Sequence, residues 1–293
     1  MYLFIHGTGA TNSFWLPQIR AILSLDNSYS DASILETFTI TLPGHPRADK
    51  LFTLEDTEKF IKDSYEQKLN LQQKMASKLL LSGKSEIVSG LRSDKIILVG
   101  HSVGGVIALN FATTNSVLVE KIVLISTPNQ FNQKLVKFLN WFYQKFVFTR
   151  SINFLRNLKN FVSSLRWKTA LQIFIENPKR KGFNSLMDIV INFNFENVFK
   201  KLSFDEQLKI MKIPILAISG SSDFLCRPAE VKKIGQVLSS NAEMAKSKKT
   251  IILVNSNKPE SCFTYKLYKG VGHNTMDEDL VSFVYDFREF LKV

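Results

Sequence analysis

Between Ile96 and Leu109 the sequence reads IILVGHSVGGVIAL. A β-branched apolar run meets Gly100, bends at Ser102, and leaves through Gly104 and Gly105 into a second apolar run. The first run reads as a buried strand and the second as a helix. A strand that turns straight into a helix crowds its backbone at the corner, and side chains two residues either side of the serine would collide there. Gly100 and Gly104 answer that demand. The corner holds Ser102 in a strained conformation with its hydroxyl turned away from the sheet. It also leaves the N–H of Val103 at a helix start, where it can donate to a developing oxyanion. No G-x-G-x-x-G and no P-loop lysine accompanies the turn, which disfavours a phosphate-binding reading.

The same alternation runs along much of the chain. Apolar, β-branched runs occur at Tyr2–Ile5, Thr37–Leu42, Lys95–Val99, Lys121–Ile125, Pro214–Ser219, Thr250–Val254 and Phe263–Tyr268. Helical patterns lie between most of them, at Trp15–Leu25, Leu54–Leu81, Val103–Ala112, Pro228–Leu238 and Met276–Leu291. Strands that alternate with helices predict a mostly parallel sheet covered on both faces. The alternation fails from Pro128 to Lys212, which holds 13 of the 24 phenylalanines and no clear strand. Residues 128–211 therefore read as a helical cap inserted between two parts of the core, 1–127 and 212–293. Ser239–Lys249, rich in Lys, Ser and Asn, reads as an exposed loop or a frayed helix end.

A serine hydroxyl is a weak nucleophile at neutral pH and needs a base. Of the four histidines, His101 lies in the bend itself and is expected to point elsewhere, and His6 and His45 precede the serine. His273, in GVGHNTM, lies between a strand-like run and the last helix, on a loop that can carry its imidazole over Ser102. The group that fixes that imidazole should lie at another strand end between them, and Asp223, beyond Ser219-Gly220, does. The rival strand end, after Ile125, offers none, because no Asp or Glu occurs from Lys121 to Ile175. A second oxyanion donor is expected from the turn in FIHGTGATNSFW, with the N–H of Thr8 first choice and that of Gly9 second.

Together these residues resemble the α/β-hydrolase family. HGTGA, TLPGHPRAD, GHSVGG, LAISGSSD and GVGHN fall in the family's order, and the segment 128–211 falls where the family carries a variable cap. The resemblance implies an α/β-hydrolase fold and a serine hydrolase. Ser102 would be the nucleophile, His273 the base and Asp223 the orienting acid, with the N–H groups of Val103 and Thr8 as oxyanion donors. It implies no cofactor and no metal. Three departures stand out. The family's first two strands appear missing, which would leave about six strands and put the Thr37–Leu42 strand at an edge. TLPGHPRAD carries Thr41, Pro46 and Ala48 in place of the family's usual residues. The stretch from Asp223 to His273 is long for the family and contains the extra run Thr250–Val254.

Substrate does not follow from fold. The cap residues Phe131, Phe138, Trp141, Phe142, Phe146, Phe148, Phe154 and Phe161 recur at helix-like spacing with Lys and Arg between them. They could roof an apolar acyl pocket, dock weakly on an anionic lipid surface, or simply pack the cap. A carboxylic-ester hydrolase acting on a small molecule with an apolar acyl group is the first reading. A hydrolase of a thioester, an amide or a C–C bond is the second, and a non-catalytic binding member of the fold the third. The net charge of +12 is concentrated in the middle of the chain. It reflects either an anionic partner or a composition rich in lysine, and without a recognition motif nucleic-acid binding is not expected. FLNWFYQKFVF is too short to cross a bilayer and carries Lys145. MYLFIHGTG has no secretory pattern, and two cysteines are too few for a disulfide framework, so a cytoplasmic setting is expected. A single Cys226–Cys262 bridge stays open on sequence alone.

Overall fold

Six of the apolar runs become strands: β1 (Tyr2–Ile5), β2 (Thr37–Ile40), β3 (Ile96–His101), β4 (Val119–Ile125), β5 (Ile215–Gly220) and β6 (Phe263–Tyr268). The computed structural model describes residues 1–7, 10, 12–24, 37–42, 53–81, 95–142, 188–247 and 262–292. The strands form one sheet in the order β2-β1-β3-β4-β5-β6, and every neighbouring pair is parallel. The Thr37 strand lies at an edge, as expected. The chain steps outward from β1 to β2, then returns to lay β3 on the other side of β1. The order thus reverses between β1 and β3, and a parallel sheet opens a crevice at the carboxyl ends of the strands where this happens.

The helices are α1 (Leu16–Ser24, entered through a 3-10 turn at Asn12–Trp15), α2 (Leu54–Leu81), α3 (Val103–Thr114) and α4 (Gln133–Phe142). They continue with α5 (Phe195–Lys201), α6 (Phe204–Met211), α7 (Pro228–Ser247), α8 (Thr275–Glu278) and α9 (Leu280–Lys292). Side chains alternate across each strand, so the sheet builds two cores. On one face Leu3, Ile5, Leu98, Ile122, Leu124 and Ile215 meet Ile61 of α2, Val106 and Phe111 of α3, and Val231 and Ile234 of α7. On the other, Phe4, Ile97, Val99, Val123, Ile125 and Ile218 meet Trp15 and, from α9, Phe283 and Phe287. Strands covered on both faces lack a polar side, which is why β3 and β5 are buried at every residue. Each fully buried aliphatic or aromatic side chain contributes about 1.5–3 kcal/mol.

Several predicted bounds shift, each for a local reason. The last helix divides at Asp279, whose carboxylate accepts from the N–H of Ser282 at 3.1 Å and caps α9. Of the two readings of Ser239–Lys249, a loop or a helix end, the helix continues to Ser247, since Ala242, Glu243, Met244, Ala245 and Lys246 are strong helix formers. Lys121, mid-strand in β4, is buried. Its ammonium donates to the carbonyls of Phe290 (3.2 Å) and Leu291 (3.1 Å) at the C-terminal end of α9, where a cation suits the helix dipole. Neither cysteine is bridged: Cys226 is buried and Cys262 half-buried, both as free thiols.

Of the middle segment, residues 143–187 lie outside the described residues, and so do Phe146, Phe148, Phe154 and Phe161. Its described parts are helical. α5 is capped by Asn194, whose side chain accepts from the N–H of Asn197, and α6 opens with a Ser203–Glu206 capping box. Phe195 and Phe199 are fully buried in the same core as the sheet, so this end of the segment packs onto the core. Phe131 is buried too, whereas Phe138 and Trp141 of α4 are 55% and 51% exposed, their rings 6.0 Å apart. The predicted strand Thr250–Val254 and most of the TLPGHPRAD loop also lie outside the described residues. Among the described residues no helix is long and apolar enough to cross a membrane.

Candidate active site

The carboxyl ends of β1, β3, β4 and β5 point to one rim of the sheet, and the polar residues singled out from the sequence gather there. Ser102 follows β3 directly, with φ 54° and ψ −120°. This is a backbone that L-residues rarely adopt and that stores strain. Its N–H donates to the carbonyl of Ile125 at 2.8 Å, pinning the corner to β4. Although Ser102 stands at the N-cap of α3, its side chain makes no capping bond, so the hydroxyl is not consumed by the helix. Val103 is the first helical residue, and its N–H has no carbonyl one turn back to bond within α3.

The two predicted glycines meet the predicted crowding. A Cβ on Gly100 would lie 2.5 Å from the Cα of Gly105 and 2.6 Å from the carbonyl oxygen of Gly104, and one on Gly104 would collide with the carbonyls of Ile5 and His6. Gly104 thereby brings the start of α3 against the end of β1, where the His6-Gly7 turn begins. Thr8 and Gly9 lie outside the described residues.

Asp223 follows β5 and is buried. One carboxylate oxygen accepts from His273 Nδ1 at 2.9 Å, and the other from the N–H groups of Leu225 (3.0 Å) and Cys226 (2.9 Å). The Ser126 hydroxyl, paired with that of Thr275 at 2.9 Å, adds a smaller favourable influence on the ionised carboxylate. Burial pushes this carboxyl up, but the His273 contact, the Cys226 N–H and Ser126 together outweigh it and hold the group below the usual aspartate range. Asp223 is therefore ionised at neutral pH, and His273 carries its proton on Nδ1, which leaves Nε2 as the acceptor nitrogen. The His273 side chain is 20% exposed while the Asp223 carboxylate is fully shielded. Backbone bonds stitch the two loops together: the N–H groups of Ser221 and Ser222 donate to the carbonyls of Tyr268 and Val271, both at 2.9 Å.

His101 was expected to point elsewhere than Ser102, and its ring lies 4.9 Å from that of His273 and 5.4 Å from that of Phe14. Nε2 donates to the backbone carbonyl of His273 at 3.1 Å, and Nδ1 is buried with no hydrogen-bond partner among the described residues. Burial first, then the neighbouring His273, push its pKa down to about 3, so the ring is neutral. A neutral imidazole can hold the His273 loop without repelling a cationic His273. His6 does a similar job at the other wall. Nδ1 donates to the Gly7 carbonyl at 2.7 Å, and Nε2 accepts from the N–H of Leu42 at 3.0 Å, tying β1 to the end of β2. Burial lowers its pKa to about 4.

Cys226 lies beside Asp223 and His273. One donor atom each of Asp223, Cys226 and His273 fall within 4.8 Å of one another. Burial, reinforced by the Asp223 charge, pushes the thiol well up, so it is protonated at neutral pH. No sequence spacing marked Cys226 or Ser126, because the fold alone brings β4, β5 and the last loop to one point.

This arrangement can do acid–base chemistry on a hydroxyl: a strained serine, a histidine oriented by a buried carboxylate, and an unspent helix N–H. The Alpha/beta hydrolase family model matches residues 2–190. An esterase from Thermogutta terrifontis, solved with malate bound, superposes with TM-score 0.58 at 15% identity, covering 99% of this chain and 89% of that one. The enol-lactonase from Burkholderia xenovorans LB400 superposes with TM-score 0.59 at 15% identity, covering 100% and 91%. A meta-cleavage product hydrolase superposes with TM-score 0.56 at 16% identity, covering 99% and 92%. At such identities the likeness is one of fold. No curated protein matches the sequence significantly. The crossover order of the sheet, the serine corner and the match over most of the chain agree: this protein belongs to the alpha/beta hydrolase family.

Proposed function

We propose that the chain is a serine hydrolase that cleaves carboxylic esters through an acyl-enzyme on Ser102. The observation that carries this reading is Ser102, strained and uncapped, on the rim shared with a histidine that is itself held by a buried aspartate. In the proposed sequence Ser102 Oγ attacks the ester carbonyl carbon as its proton passes to His273 Nε2. The carbonyl oxygen becomes an oxyanion that accepts from the Val103 N–H and from Thr8 of the β1 turn. A hydrogen bond to a charged oxygen in a water-poor site is worth about 100- to 1,000-fold in rate per donor. The tetrahedral adduct collapses, and the leaving alcohol takes the proton from His273. Water, deprotonated by the same nitrogen, then cleaves the acyl-Ser102 ester. Asp223 stays ionised throughout and stabilises the imidazolium.

Residues 128–211 are proposed as a cap over this rim, their aromatic residues offering an apolar wall to the acyl group of a small-molecule ester. The similar structures include an esterase and an enol-lactonase, both acting on ester bonds by name. Hydrolysis of a thioester, an amide or a C–C bond is the second reading, and the similar structures also include a meta-cleavage product hydrolase. The test is covalent labelling with a fluorophosphonate probe, followed by hydrolysis of p-nitrophenyl esters of rising chain length. Labelling at Ser102 and ester turnover that both vanish in Ser102→Ala support the proposal. A folded protein that neither labels nor turns over esters defeats it. Labelling without ester turnover moves the assignment to another bond.

A further inference from the structure

We propose that Asp223, Cys226 and His273 form a binding site for a zinc-class divalent ion, and that an ion held there blocks hydrolysis. The blocking effect rests on the serine-hydrolase reading, whereas the binding does not. The three side chains offer oxygen, sulfur and nitrogen donors within 4.8 Å of one another. In a tetrahedral site with metal–ligand lengths of about 2.0–2.3 Å, donor atoms lie about 3.3–3.8 Å apart. The 2.9 Å contact between His273 and Asp223 must widen, and no other separation, all being within 4.8 Å, has to close by more than about 1.5 Å. A mixed sulfur, nitrogen and oxygen set selects zinc or cobalt over magnesium or calcium, which want oxygen alone.

Two further features favour the site. Asp223 and Cys226 are buried and anchored in one short loop, whose Leu225 and Cys226 N–H groups hold one Asp223 oxygen and leave the other facing His273. The His273 side chain is 20% exposed, so a solvent water can take the fourth position. On binding, the thiol gives up its proton to solvent as the metal–sulfur bond forms. The Asp223 carboxylate donates a lone pair directly, and His273 binds through Nδ1 once its proton has moved to Nε2, a tautomer exchange that leaves the imidazole neutral. No oxidation occurs. His273 then no longer serves as the proton carrier for Ser102.

The experiment is a titration of the chelator-washed protein with Co2+, read by absorbance, beside Zn2+ inhibition of fluorophosphonate labelling. The proposal expects a thiolate-to-cobalt charge-transfer band in the near ultraviolet together with intense visible bands of a tetrahedral ion. Both should survive in Cys262→Ala, which removes the other free thiol, and the charge-transfer band should disappear in Cys226→Ala and Cys226→Ser. Within each variant, inhibition is expressed relative to its own metal-free rate. Loss of the sulfur ligand should raise the Zn2+ concentration for half-inhibition by more than about tenfold. The absence of a thiolate band in the wild type, or its loss in Cys262→Ala instead, would overturn the site. A band without any labelling of the metal-free protein would leave the site standing and defeat the hydrolase reading.

Discussion

Replacing Asp223 by asparagine tests the proposed site at its least exposed member. The two carboxylate oxygens face different partners: one accepts from the N–H groups of Leu225 and Cys226, the other from His273 Nδ1. An asparagine amide can take two orientations. With its oxygen toward the two N–H groups, its NH2 faces His273, which must then present an unprotonated Nδ1 and carry its proton on Nε2. Flipped, it leaves two buried N–H groups facing an NH2, at about 1–3 kcal/mol each. The first orientation wins, and it leaves His273 in the tautomer that cannot accept a proton from Ser102. The same exchange in a Ser-His-Asp triad lowers kcat by about 10,000-fold, or roughly 5 kcal/mol of activation free energy. We expect a loss of that order in the rates of fluorophosphonate labelling and ester hydrolysis. A cooperative thermal transition should remain, because the amide keeps the side chain's volume and two of its hydrogen bonds. A folded Asp223→Asn protein within tenfold of wild-type rate would refute the reasoning.

The strain at Ser102 predicts that Ser102→Gly is more stable than Ser102→Ala by about 1–2 kcal/mol, although both abolish labelling; equal melting temperatures would contradict it. His6 has a folded-state pKa of about 4 against 6.5 when exposed. Between those values the unfolded chain binds the extra proton, so the contribution of His6 is full above about pH 6.5 and is lost as pH falls toward 4. That contribution is on the order of 3 kcal/mol, and the urea midpoint should fall less steeply over this window in His6→Gln than in the wild type. Lys121→Met should lower stability by about 1–3 kcal/mol, read by urea denaturation, because it leaves the Phe290 and Leu291 carbonyls without their donor. Phe283→Ala should lower it by about 3–5 kcal/mol, since that ring is fully buried between α9 and the sheet.

The sequence by itself determined the elements whose signals are local. Short apolar runs marked β1 and β6 with their observed bounds, and α2 was legible from its helical pattern. The corner at Ser102 was legible because backbone crowding admits only glycine at positions 100 and 104, whatever the rest of the chain does. The absence of acidic residues from Lys121 to Ile175 narrowed the carboxylate to Asp223 without any coordinates. Tertiary structure decided what depends on distant segments meeting. Lys121 in an apolar strand made sense only once α9 ended above it. What His101 packs against was not legible, because one residue's direction at a sharp bend depends on the loop that arrives from His273. Cys226 had no motif to mark it, and its place beside Asp223 and His273 follows from where β5 lies in the sheet. Hydrophobic periodicity is written residue by residue, whereas a site at strand ends is written by the order of the strands, and that order is set by packing.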